Sequence, residues 1–419
     1  MITCDRILKL CEYCDRIFPL PSNMGNDNRC TAEGFMLRDL TIQNYRCFKD
    51  FHIDGLARVN LIVGSNNSGK TSLLEAVYLL VNQVNLEPLI NFLYNRGEIA
   101  DYSISQSSFV RGEIERRSGY EIRHIFYGHQ LNTEQTISVR SEKEAPLSVQ
   151  FQIKEPERIQ KPPGFDLFLT PEGGSIEPSK FLLLFSDGRG TTMPIPIRDD
   201  GLITGKAFRQ WNEHQPHAFV TTSNSRLFTQ NISSNFFLTT TNINFQQMAV
   251  FWDKITLTPK EESVVAALQI LEPNIERISF TSRQSSSSGV LLKLHGQHNP
   301  INLGSMGEGM RRMLSLAMAA VTVENGLLLV DEIETGLYYE AQTDMWRLIF
   351  STAKRLNLQV FATTHSWDCI AGFQEALAEF EDNSVGKLFR LSRRDEKIRA
   401  VEYTADELAV AVRQSIEVR

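Results

Sequence analysis

Val59-Asn60-Leu61-Ile62-Val63-Gly64-Ser65-Asn66-Asn67-Ser68-Gly69-Lys70-Thr71-Ser72-Leu73-Leu74-Glu75-Ala76-Val77 joins a strand pattern to a helix pattern through a glycine-bearing turn. Residues 59–63 form a short apolar run with β-branched side chains, the composition of a buried strand. Residues 72–80 have helical composition and contain no breaker. The turn between them reads G-x-x-x-x-G-K-T, a phosphate-binding loop in the strand–turn–helix setting that the motif requires. Gly64 and Gly69 let the backbone around Asn66, Asn67, Ser68 and Ser72 close on phosphate oxygens, and the helix start adds its positive dipole end. Lys70 is expected to reach the β- and γ-phosphates, and the Thr71 hydroxyl to take a place on Mg²⁺. These residues predict that the chain binds a nucleoside triphosphate.

The rest of the composition is that of a large globular protein. The chain has 419 residues, 42% hydrophobic and 22% charged, which supports a sizeable core. A prior of about 150 residues per domain allows two or three lobes. The net charge of −7 supplies no global basic field for nucleic acid, so any DNA contact has to come from local patches. No apolar run reaches the length of a membrane span. Asp5, Arg6, Lys9, Glu12 and Asp15 argue against a secretory leader, which makes a cytoplasmic location the expectation. Of six cysteines, Cys4, Cys11, Cys14 and Cys30 precede residue 35. They admit two readings: a zinc site begun by Cys11-x-x-Cys14, or a loose N-terminal extension arising from an upstream start codon.

Four segments follow from the pass along the chain. Residues 1–35 are the extension, 36–140 the first part of a nucleotide-binding unit, 141–300 an inserted β/helical lobe, and 301–419 the second part of that unit. Two antiparallel strands are expected over 36–53, a loop over 101–108, and strands over 121–127, 135–139 and 147–153. Pro and Gly crowd residues 156–200, a long irregular insertion broken by Phe181-Leu182-Leu183-Leu184-Phe185. Helices are expected over 245–252 and 259–271, the second capped by Thr258. A Ser-rich loop at 284–289 separates two strand-like runs, and the C-terminus reads as a helix, a hairpin and a helix capped at Thr404.

Downstream, Gly326-Leu327-Leu328-Leu329-Val330-Asp331-Glu332 is an apolar strand ending in two carboxylates. Asp331 is placed to hold Mg²⁺ and Glu332 to activate the attacking water as general base. After one crossover helix, Gln359-Val360-Phe361-Ala362-Thr363-Thr364-His365-Ser366 is a second apolar strand with a polar tip. The right-handed crossover brings His365 to the same sheet edge as Lys70 and Glu332, within reach of a γ-phosphate. Ahead of both, Leu303-Gly304-Ser305-Met306-Gly307-Glu308-Gly309-Met310-Arg311-Arg312 opens a helix with small residues, another anion-site pattern.

The order of these pieces resembles the ABC-type ATPase superfamily, within it the stand-alone RecF, SMC and OLD branch often described as AAA-type ATPases. Leu40-Thr41-Ile42-Gln43-Asn44-Tyr45-Arg46-Cys47-Phe48 is similar to that branch's N-terminal strand, and residues 251–259 and 364–368 to its later segments. The resemblance implies an α/β P-loop NTPase head with a mixed, largely parallel central sheet, antiparallel N-terminal strands and an inserted lobe. It also implies Mg²⁺-dependent ATP hydrolysis by a homodimer or higher oligomer closing on ATP, with Ser305, Gly307, Glu308 and Gly309 serving the partner's nucleotide. Arg46 is expected to contact nucleotide, and Gln106 and Gln130 are the candidates for the Q-loop. The signature departs from L-S-G-G-Q: Glu308 or Met306 falls where a serine or glycine is expected, and an acid there repels a phosphate unless it hydrogen-bonds elsewhere.

Three function classes compete. The first is an ATP-driven switch acting on DNA or on a separately encoded, Toprim-type nuclease, as in repair or phage defence. With residues 366–419 after the histidine strand, that nuclease is expected to be a separate chain. The second is the motor subunit of a transporter, which predicts an unaltered signature and a short segment before it; residues 72–304 do not fit. The third, a GTPase or metabolic kinase, is opposed by the missing N-K-x-D motif and by the His365 strand. Arg116-Arg117, Arg311-Arg312 and Arg393-Arg394 read as solvated pairs or as phosphate contacts.

Overall fold

The computed structural model describes residues 36–419 apart from 84–85, 105–114, 134, 145, 156–180, 188–189, 192–193, 206, 209–234, 282–288, 381 and 396. Its central sheet has the order Phe236–Leu238, Leu327–Val330, Gln359–Thr363, Val59–Val63, Gly386–Arg394, Lys397–Tyr403. The first five strands are parallel and the last closes as an antiparallel hairpin. Strands buried on both faces need apolar residues at consecutive positions, which the runs at 59–63, 327–330 and 359–363 supply. Alternate residues then feed opposite cores. Val59, Leu61, Val63, Leu328, Val330, Val360 and Ala362 pack with the helices Glu308–Thr322, Tyr339–Arg355 and Trp367–Ala378. Ile62, Leu327, Leu329 and Phe361 pack with the helix Lys70–Val81.

That helix is sandwiched. On its other side lies an antiparallel sheet of order Ile195–Ile197, Phe181–Asp187, Leu147–Lys154, Thr136–Ser141, Asp39–Tyr45, Phe48–Asp54. Ile42, Val139, Val149 and Phe151 of these strands share the core of Leu73, Leu74 and Val77. Two three-stranded sheets complete the described chain: Leu202–Thr204, Glu115–Glu121, Ile99–Ile104, and Ile275–Thr281, Gly289–Leu294, Ile301–Asn302. The parallel register matters for function. Val63, Thr363 and Val330 end their strands side by side, so the segments that follow all emerge at one sheet edge.

The mixed α/β class, the parallel centre and the antiparallel start agree with the sequence reading. Two local expectations do not, and one strand went unread. Residues 101–104 are not loop but the end of the strand Ile99–Ile104, paired with Glu115–Glu121. The strand expected over 121–127 stops at Glu121, and Ile122–Ile125 is a 3₁₀ turn that buries Ile122 and Ile125, three residues apart. Phe236–Leu238, beside the acidic strand, went unread because three residues carry no periodic signal. The cysteines before residue 35, residues 156–180, Gln106, the Arg116-Arg117 side chains and most of the Ser-rich loop lie outside the described residues.

Candidate nucleotide-hydrolysis site

The turn after Val63 is shaped for an anion. Asn67 has φ 62° and Gly69 φ 97°, left-handed values that let neighbouring N–H groups turn toward a common point. The helix Lys70–Val81 begins at Gly69 with no side-chain cap, so its first N–H groups remain available to an oxyanion. Gly64 is obligatory by space: a Cβ there meets the Leu391 carbonyl and Ser68 Oγ, each at 2.7 Å. Ser68 Oγ itself is buried and has no hydrogen-bond partner among the described residues. Lys70 Nζ donates to the carbonyls of Gly64 (2.8 Å) and Ser65 (3.1 Å), folding the ammonium over the turn. Burial pulls its pKa below the usual lysine range, and Asp331, Glu332 and Glu334 oppose that pull. An orphaned hydroxyl, uncapped N–H groups and a half-buried ammonium are a donor set that fits a triphosphate.

The carboxylates converge on the same edge from residues far apart in sequence. Thr71 Oγ1 donates to Asp331 Oδ2 at 2.9 Å, and Thr363 Oγ1 donates to Asp331 Oδ1 at 2.5 Å. Two hard oxygens side by side, one of them anionic, suit Mg²⁺, which keeps most of its waters and takes few protein ligands. Glu332 follows at φ 46°, its amide held by Thr363 Oγ1 at 2.9 Å, with its carboxylate 41% exposed. His365 Nδ1 lies 3.8 Å from Glu332 and 3.5 Å from Glu334. Glu334 is the buried member: it accepts from the His365 amide at 3.2 Å, and its second oxygen is buried without a partner among the described residues. The sequence reading named Glu334 only as part of a turn. An acid two residues beyond the acidic pair was the available signal.

The small-residue helix start lies against this turn. Gly309 abuts Gly336 so closely that a Cβ would come within 2.7 Å of the Gly336 carbonyl. Ser305 lies in a 3₁₀ turn, and Gly307, at φ 88°, begins the helix Glu308–Thr322. Glu308 does hydrogen-bond elsewhere: Asn242 Nδ2 donates to its carboxylate, and Arg311 approaches to 3.8 Å. Asn242 belongs to the loop after Phe236–Leu238, the strand that the sequence reading missed. Gln130 falls in the loop before Thr136–Ser141, in the antiparallel sheet.

Arg46 is committed to carboxylates. Its Nε lies 2.7 Å from Glu75 and its Nη1 2.7 Å from Glu98, while Nη2 is buried without a partner among the described residues. Arg96 Nε takes the other Glu75 oxygen at 2.7 Å, and Tyr45 Oη donates to Glu75 at 3.2 Å. Burial works against the Arg46 charge, but Tyr45, Glu75 and Glu98 outweigh it and hold its pKa above the usual value. Sequence offered one clue: Glu75 interrupts an otherwise apolar helical face and so demands partners.

These features define a P-loop nucleoside triphosphatase whose phosphate loop, acidic strand end and histidine strand share one edge of a parallel sheet. Residues 36–177 and 203–370 match the family model for the AAA ATPase domain, and the chain belongs to that family as an ATP hydrolase. It is 23% identical over 374 residues to an ATP/GTP phosphatase of Helicobacter pylori, a match covering 87% of this chain and 94% of the relative. It is 41% identical over 92 residues to the DNA replication and repair protein RecF of Clostridioides difficile, covering 22% of this chain and 23% of RecF. Among solved structures, an SMC head bound to the C-terminal winged-helix domain of ScpA aligns with a TM-score of 0.43 at 13% identity, over 89% of this chain and 99% of that one. Among the described residues, no helix is long and apolar enough to cross a membrane.

Proposed function

We propose that the chain is a Mg²⁺-dependent ATPase that dimerises on ATP and acts as a switch for DNA or for a separately encoded nuclease. The observation that carries the chemistry is the Thr71–Asp331 contact with Glu332 and His365 beside it. Lys70 and the N–H groups of the turn hold the phosphates. Thr71 and Asp331 would hold Mg²⁺, which neutralises phosphate charge when bound. Glu332 accepts the proton of the attacking water, and His365, steadied by Glu334, donates to the γ-phosphate.

Ser305, Gly307 and Gly309 at a helix start offer N–H groups to the nucleotide of a second copy. The Asn242 and Arg311 contacts draw the Glu308 carboxylate away from that role, which supports the reading despite the altered motif. The RecF similarity supports a nucleic-acid context, and the name of the Helicobacter relative recommends GTP as a second substrate to assay. The test is Glu332→Gln examined by light scattering with and without Mg²⁺-ATP, alongside phosphate release. ATP-dependent dimers with turnover abolished are expected. A variant that stays monomeric with ATP, or that turns over normally, overturns the reading.

A further inference from the structure

Arg312, on the inner face of the helix Glu308–Thr322, is 1% exposed. Its Nη1 donates to the Thr239 carbonyl at 2.7 Å, and its Nη2 to the carbonyls of Asp331 (2.7 Å) and Glu332 (3.0 Å). Nε is buried without a hydrogen-bond partner among the described residues. Burial pulls the guanidinium pKa down, and Glu334, Asp331 and Glu332 act against that pull. A cation among neutral carbonyls is a costly way to fill core space, and the flanking Met313, Leu314 and Leu316 show that apolar residues fit this helix. What a planar, five-donor fork supplies that they do not is simultaneous reach to separate backbone acceptors.

Those acceptors are functionally placed. Thr239 follows the strand Phe236–Leu238 and leads to Asn242, while Asp331 and Glu332 follow Leu327–Val330. Glu332 at φ 46° is a non-glycine residue in the left-handed region, a conformation that costs about 1–3 kcal/mol and persists only when its surroundings fix it. Thr363 fixes one side through the Glu332 amide, and Ile333 N donates to the Thr363 carbonyl at 3.1 Å. Arg312 fixes the other side through the Glu332 carbonyl. Gly309, one turn earlier on the same helix, abuts Gly336.

We infer that Arg312 is a positioning residue for hydrolysis: it ties the Glu332 backbone, and so the general base, to the helix whose start serves the second nucleotide. A displacement of that start is thereby carried to Glu332. The inference rests on the assignment of Glu332 as base. Its test is a kinetic double-mutant cycle of Arg312→Lys and Arg312→Met with Glu332→Gln. Each single Arg312 variant should lose about tenfold or more in kcat, with KM and nucleotide Kd held within about twofold. In the Glu332→Gln background, Arg312→Lys should change the residual rate by less than about twofold, because the group it positions is already disabled. Parallel loss of kcat and nucleotide affinity, or an undiminished penalty in that background, overturns the inference and leaves a structural residue. If Arg312→Met fails to fold by circular dichroism, Arg312→Lys carries the same comparison. Normal turnover by Glu332→Gln alone refutes the base assignment, whereas an inactive Glu332→Gln with additive penalties refutes only the role of Arg312.

Discussion

Replacing Glu75 by Leu removes the anion from a buried cluster on the helix that follows the phosphate loop. The side chains of Glu75 and Arg46 are 4% and 6% exposed, so the pair is effectively out of water. Breaking such a pair costs about 3–5 kcal/mol, because the surviving charge stays buried. Two features bring the figure to the lower end. Arg46 keeps Glu98 at 2.7 Å, and Arg96, 34% exposed, can turn to solvent at a cost below about 1 kcal/mol. The Tyr45 hydroxyl loses an acceptor as well, so about 3 kcal/mol of destabilisation is expected. Urea denaturation followed by circular dichroism and tryptophan fluorescence measures it, with coincident transitions as the condition for comparing free energies. The double variant Glu75→Leu/Arg46→Met separates burial from pairing. Removing both charges should recover about 1–3 kcal/mol relative to the sum of the single variants. A Glu75→Leu cost below about 1 kcal/mol, or strict additivity, would refute the claim that the cluster is a coupled buried unit.

Gly64→Ala places a Cβ 2.7 Å from the Leu391 carbonyl, so the turn must shift; nucleotide affinity by fluorescent-analogue titration should drop by about tenfold or more, and unchanged affinity contradicts the cradle. Thr71→Val deletes the hydroxyl on Asp331, and the Mg²⁺ concentration for half-maximal turnover should rise about tenfold, an unchanged requirement speaking against that seat. Lys70 has a folded pKa below its ordinary 10.5, so the unfolded chain binds more protons and stability rises with pH through the interval between the two values. Bound phosphate restores the charge, so calorimetry in that interval should find proton uptake on ATP binding; its absence, or proton release, counts against Lys70 as the phosphate ligand.

Why some of this was legible from sequence and some was not follows from the range of the interactions. The runs at 59–63, 327–330 and 359–363 are apolar on both faces and end in polar residues, so a parallel strand and its active edge are written locally. The fixed hand of crossover connections then places His365 near Glu332 without any coordinates. Arg46 is different. The family resemblance implies a basic residue near the nucleotide, yet its partners Glu75, on the helix after the phosphate loop, and Glu98, just past the helix Glu87–Asn95, are brought to it by packing. No periodicity encodes that pairing.

The strand Phe236–Leu238 is the more instructive omission, because its loop reinterprets a residue that sequence could only call anomalous. Glu308 stands where a phosphate-facing motif should carry a small or hydroxyl residue, and an unpaired acid there would repel the nucleotide of a second subunit. Asn242, delivered by that short strand, takes the Glu308 carboxylate, and Arg312 draws the carbonyl of Thr239 from the same loop toward those of Asp331 and Glu332. Glu308, the loop and the proposed base Glu332 therefore belong to one hydrogen-bonded unit. Asn242→Ala should for that reason weaken ATP-dependent dimerisation while sparing nucleotide binding by the monomer. Light scattering and nucleotide titration on the same variant distinguish the two, and an equal loss in both would show that the loop merely supports the fold.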